Sequence, residues 1–293
     1  MEIIVEIGNN DQKEIISKEL SLIEKFSTLF NPSSPIIKII VPENFDKAVN
    51  EIENTTDYTS VRGQIAVAKN IPTKEGVYLI FSRELYTTLH DSYTRFQMYF
   101  HELAHCFNNK RFPSLLPNPK ADFEYLTNLY ILFDEYYANR RSFELMETFF
   151  PQTSHRYKLH KRVHLKRFID SITKNSDYYA NICNEIFNYK FHGNVRKFLK
   201  NISPIFDEVS KAIIYTYAIL DLSHKLLRLE PLLAKSEFVN QNTKDLIVFF
   251  RSKYNSGSSD LFDGIDIIRR FMTNFGIELE DTTEGLYYHV FDI

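Results

Sequence analysis

The chain has 293 residues, 44% of them apolar, with a formal net charge of −3. That length and apolar content can bury a sizeable core, as one large domain or as a catalytic domain with an accessory one, while the near-neutral charge gives no electrostatic case for a nucleic-acid or acidic partner. Two cysteines, Cys106 and Cys183, exclude a disulfide scaffold and fit a reducing cytoplasm, the expected location.

Eight glycines, ten prolines and no tryptophan, set against 25 Phe and 18 Tyr, point to a helix-rich fold with few loops. The opening residues mix acidic side chains with Ile and Val, so no secretory signal is expected. No apolar run reaches the length of a membrane span. Glu2 to Ile7 reads as a strand followed by a Gly8-Asn9-Asn10 turn. Asp11 to Phe30 has helical apolar spacing at Ile15, Ile16, Leu20, Ile23 and Phe26. Ile36 to Val41 is a second strand, and a short helix runs from Pro42 to Ile52. Gln64 to Ala68 and Gly76 to Phe81 read as further strands joined by a hairpin-like connection over 70–76. Val77 to Phe81 is read either as a core strand or as an edge strand that pairs with an extended substrate.

From Asp91 to Asn108 apolar residues recur at Tyr93, Phe96, Phe100, Leu103, Ala104 and Phe107, a buried helical stripe without internal Pro or Gly. Inside it stands His101-Glu102-Leu103-Ala104-His105. Residues four apart lie on one helix face, about 6 Å apart along the axis, so the two imidazoles can address a single ion. Glu102 follows the first histidine by one position, beside the ion, where it can accept a proton from an activated water.

A catalytic zinc needs a third protein ligand and an open position. Extension to a third histidine fails, because Asn108 stands where Gly is required and Arg111 where the histidine should be. A Glu from a second helix fits Asp134-Glu135-Tyr136-Tyr137-Ala138-Asn139, Glu135 lying 30 residues after His105. That helix is expected from Asp122 to Phe150, with Asn139 on the Glu135 face as a candidate to orient a ligand and Asp134 as another.

His101-Glu102-x-x-His105 with Glu135-x-x-Ala138-Asn139-Arg140 resembles the gluzincin metallopeptidases. With the preceding Arg95-Phe96, it is most similar to their ImmA/IrrE branch, over roughly Gly76 to Phe150. The resemblance implies zinc held by His101, His105 and Glu135 and Glu102 as general base. It further implies a peptide or protein substrate, a specific regulatory protein of the cytoplasm. Ala104 stands where that branch often has Gly, and no helix-turn-helix segment is evident.

The loop over 110–120, with three prolines, is either a wall or lid of the site or a connector on the core. A boundary is expected after Gln152, giving a metallopeptidase domain over 1–152 and a helical accessory domain over 153–293. His155 to Arg167 carries six Lys and Arg and reads as a solvated helix face, with phosphate or an acidic partner as the alternative. Candidate oxyanion donors are Tyr136, Tyr137 and the histidines of this run, His155 first among them. Beyond Ser171 the patterns are helical: Asp177 to Tyr189, Asn194 to Lys200, Pro204 to Leu229, Ser236 to Tyr254 and Leu261 to Gly276, with a terminal apolar segment over 287–293 that can dock as a strand.

The fold class expected is therefore α+β: a zincin-like catalytic domain, with a small mixed sheet packed on active-site helices, and an all-helical carboxy-terminal domain. The function expected is zinc-dependent peptide hydrolysis. The alternative is a non-proteolytic regulatory or binding protein that keeps the metal site, for which a Glu after the first His has no use.

Overall fold

The computed structural model describes residues 1–30, 35–56, 58, 68–87, 91–108, 120–150, 155–173, 176–222, 226–283 and 285–293. The chain is a mixed α+β protein and divides into two compact units, Met1–Lys110 with Arg141–Tyr157, and Arg111–Arg140 with Lys158–Ile293.

The first unit is built on a four-stranded sheet of β1 (Glu2–Val5), β2 (Ile36–Val41), β3 (Ala68–Pro72) and β4 (Val77–Phe81), in the order β1-β2-β4-β3. β1, β2 and β4 are parallel, and β3 runs antiparallel to β4. Parallel neighbours need a crossover, which helix α1 (Asn10–Phe30) supplies between β1 and β2. Helix α2 (Phe45–Glu53) starts at Asn44, whose side chain accepts from the Lys47 N–H, and stops at Asn54 in the left-handed region. A short α3 (Glu84–Thr87) precedes α4 (Ser92–Asn108).

Alternation along the strands sorts side chains into two layers. Leu79 and Phe81 share a core with Leu20 and Ile23 of α1 and Phe100 and Leu103 of α4. Ile80 and Ile71 pack instead with Val49 of α2. A partly buried clamp fixes α4 on α1: Arg95 donates through Nε and Nη2 to both oxygens of Glu19, at 2.7 and 2.8 Å, and the Tyr99 hydroxyl donates to Glu19 Oε1 at 2.8 Å. The carboxylate bonded to it raises the Arg95 pKa.

Val77–Phe81 is no edge strand, since it pairs with β2 on one side and β3 on the other. Asn70, Ile71 and Pro72, expected in a connection, belong to β3. Asn and Pro are poor strand formers, but Pro is tolerated at a strand end. The turn itself is narrower, closed by the Thr73 N–H on the Gly76 carbonyl at 2.7 Å. Of the strand expected over 64–68 only Ala68 is described; residues 64–67 and the loop over 109–119 lie outside the described residues.

In the second unit the front of α5 (Lys120–Phe149) packs with α6 (His155–Thr173), α7 (Ser176–His192), α8 (Val195–Leu220), α9 (Leu226–Leu233), α10 (Gln241–Ser256) and α11 (Ile265–Thr273). The carboxy-terminal part is not all-helical: β5 (Ile277–Thr282) and β6 (Gly285–Val290) form an antiparallel hairpin. Residues 120–140 group with this unit and residues 141–149 with the first. The reason lies in α5, which commits Tyr125, Leu129, Phe133 and Tyr136 to one core and Leu145 and Met146 to the other.

α8 runs unbroken through Pro204, where two helices were expected. Proline removes one backbone donor there, while Phe198, Ile202, Val209 and Ile213 carry the buried stripe across the position. Asp221, just past its end, accepts from Arg251 and from the Tyr136 hydroxyl, joining α5, α8 and α10 by a partly buried network. Among the described residues no helix is long and apolar enough to cross a membrane.

Candidate metal centre

The second half of α4 is buried on every side, Tyr99 through Cys106 without interruption. This is more than the one-sided stripe that the periodicity implies. Its polar residues are therefore enclosed: His101, Glu102 and His105 are 7%, 6% and 8% exposed. Buried polar groups need partners. The two imidazoles approach each other with their Nε2 atoms 2.9 Å apart and their rings nearly perpendicular.

Glu102 receives a hydrogen bond from Asn70 Nδ2 at 3.1 Å on its Oε2. The strand period accounts for it. Ile71 points into the α2 layer, so Asn70 points the other way, toward α4.

Glu135 on α5 completes the set. One nitrogen each from His101 and His105 and one carboxylate oxygen of Glu135 all lie within 4.8 Å of one another. Zinc–nitrogen bonds of about 2.0–2.1 Å set a tetrahedral edge of about 3.3 Å. The widest separation thus exceeds that edge by at most about 1.5 Å, which side-chain rotation can close. Two imidazoles and one carboxylate are also a donor set that zinc accepts, with a fourth position left for water. In donor chemistry and separation the three residues could hold a metal ion.

Glu135 itself is held by α8. The Tyr215 hydroxyl donates to its Oε2 at 2.5 Å, and Lys211 Nζ stands 3.4 Å from its Oε1. Asp207 occupies the preceding turn. Partial desolvation raises its pKa; Lys211 opposes the rise and the Glu135 charge adds to it. Asn139, one turn beyond Glu135, is buried and donates from its amide to the Tyr215 carbonyl at 3.2 Å. Residues four apart on α5 thus face residues four apart on α8.

The remaining expected residues have the following surroundings. Tyr136 is fully buried and gives its one hydroxyl proton to Asp221, while Arg140 donates to its oxygen at 3.1 Å. Burial and the Asp221 carboxylate push its pKa up. Tyr137 is half-buried with its ring against Tyr254, Asp134 is half-buried one position before Glu135, and His155 is the exposed first residue of α6.

Three residues of the arrangement were not found from the sequence. Asn70 was placed in a connection, although a lone polar residue beside Ile71 in a strand is a usable signal. Tyr215 and Lys211 sat in an apolar helical pattern, and nothing local pairs them with a residue about 80 positions earlier. No protein-family model matches the chain, and no curated protein or solved structure is significantly similar to it.

Proposed function

We propose that the protein is a zinc-dependent metallopeptidase of gluzincin type, with a zincin-like amino-terminal part that resembles the ImmA/IrrE branch, acting on a specific intracellular protein. The observation that carries the reading is the approach of His101, His105 and Glu135 to within 4.8 Å, with an enclosed Glu102 adjacent in sequence to the first ligand. Zinc bound there supplies a Lewis acid and makes water acidic enough to lose a proton near neutral pH.

The chain's own residues do the rest. Glu102 takes the proton from the attacking water and passes it to the leaving amine. Asn70 holds Oε2 of that carboxylate, which fixes the side chain's rotation and would leave Oε1 available to accept the proton. The buried second half of α4 keeps bulk water from the base and from the two imidazoles.

The competing reading is a regulatory or binding protein with a metal site and no hydrolysis. Glu102→Gln separates the two. The zinc-supplemented chain, incubated with a proteome-derived peptide library, is expected to create new amino termini detectable by mass spectrometry, and Glu102→Gln to create about 100-fold fewer or none while binding zinc as before. New termini at equal rates from both proteins would rule out Glu102 as the base.

A further inference from the structure

The two oxygens of Glu135 have different partners, and the difference decides what a metal ion must displace. Oε2 accepts from the Tyr215 hydroxyl, and Oε1 faces the Lys211 ammonium. Each carboxylate oxygen has two acceptor directions, so a neutral hydroxyl donor and a cation can share the group. An ammonium cannot share it on equal terms, because it carries the same sign of charge as the ion that would arrive.

The two side chains are also mounted differently. The Tyr215 ring sits edge-on to Phe168, with centroids 5.2 Å apart, and its backbone carbonyl is held by Asn139. The Lys211 side chain is 42% exposed, against 16% for Glu135, so it has solvent to swing into. Tyr215 is a fixed post and Lys211 a movable one.

Resting on the metal reading above, we propose that this face of α8 sets the zinc affinity of the site through two opposed contacts. Tyr215 is a positioning residue that keeps the Glu135 carboxylate turned for coordination. Lys211 is a built-in counter-cation that neutralises Glu135 in the metal-free chain and competes with the incoming ion. Metal uptake then exchanges one cation for another at Glu135, and the site does not stand empty as an uncompensated carboxylate.

The two variants should move affinity in opposite directions. Tyr215→Phe keeps the ring on Phe168 and removes only the hydroxyl, and zinc binding should weaken about 10- to 100-fold, as loss of an orienting partner does. Lys211→Met keeps the stem and removes the charge, and binding should tighten about two- to fivefold, the factor that a partly exposed ion pair represents.

The experiment is competition of the full-length chain against a chromophoric zinc chelator, at fixed pH and salt, for the wild type and both variants, with circular dichroism to establish equal helix content. Thermal unfolding of the zinc-free proteins adds a second readout. A merely structural role for Tyr215 would lower stability without zinc and leave affinity unchanged. Opposite shifts of the two variants support the proposal. A wild type that binds zinc while Tyr215→Phe binds it equally, or while Lys211→Met binds it more weakly, overturns the proposal and leaves the metal reading standing. A wild type that takes up no zinc overturns both.

Discussion

Replacing Glu19 with Gln should destabilise the amino-terminal unit by about 3 kcal/mol. Glu19 accepts two hydrogen bonds from Arg95 and one from Tyr99, all at 2.7–2.8 Å. Hydrogen bonds to charged groups are worth about 1.5–3 kcal/mol each, so three give an upper bound of about 5–9 kcal/mol. The amide retains one acceptor, and the pair keeps some solvent, with side-chain exposures of 18% and 15%. Both facts reduce the figure, toward the lower end of the about 3–5 kcal/mol that removing one partner of a fully buried pair costs.

The assay is urea unfolding followed by far-ultraviolet circular dichroism on Glu19→Gln, Arg95→Met and the double variant. Because α5 commits residues to two cores, the transition is to be fitted as two steps. The coupling energy between the two positions should exceed about 1 kcal/mol. A loss below about 1 kcal/mol for Glu19→Gln, with no coupling, would mean that the pair behaves as a surface ion pair. The clamp would then not be what fixes α4, and with it the two histidines, on α1.

Gly264 is buried at a φ that any residue can adopt, but an added Cβ would stand 2.6 Å from two ring atoms of Phe249 and 2.7 Å from Leu129 Cδ2. Gly264→Ala should therefore cost about 1–3 kcal/mol by overpacking, read as a lower urea midpoint of the helical unit; an unchanged midpoint would refute the packing. Asp207 is solvent-exposed, yet partial desolvation raises its pKa above the ordinary aspartate value, so its ionised form is slightly disfavoured in the folded chain and stability falls as pH rises through the raised value. Asp207→Asn should accordingly be more stable than the wild type at pH 7, with the advantage gone below about pH 4, where the aspartate is protonated in both folded and unfolded chains. A variant less stable at pH 7 would show that the Lys211 attraction outweighs desolvation.

The elements that the sequence discloses best are those with a long period. The residue spacings of α1, α4 and α5 place their limits within a few residues of those found. β2 is found as expected, from a run whose apolar residues continue on both sides of Lys38. The terminal hairpin was half seen. The segment over 287–293 reads as a possible strand, yet Ile277-Glu278-Leu279-Glu280, buried at Ile277 and Leu279 only, alternates as plainly as any strand in the chain and falls after the expected helix end at Gly276 with no element assigned to it. Pro204 misled in the opposite direction, because a local breaker was outweighed by a stripe that continued past it.

At the site, the histidine spacing carried its own geometry, since a helix fixes what lies four residues apart. Glu135 could be named because it too lies on a long helix with a small residue and an amide at fixed offsets. Asn70, Lys211 and Tyr215 could not be paired with their partners, because which strand lies beside α4 and which helix lies beside α5 are decided by packing over tens of residues. The division of α5 between two cores was hidden for the same reason. Its apolar stripe is continuous, and nothing in it marks where one core ends.

The most direct test of the central claim is zinc content by elemental analysis of the wild type, His101→Ala and Glu135→Ala, each purified without added metal and then offered zinc. The metallopeptidase reading predicts about one zinc per wild-type chain and strong loss in both variants, with helix content unchanged. A folded wild type that carries no zinc and takes none up, or a Glu135→Ala variant that holds it as tightly as the wild type, would contradict the site as described.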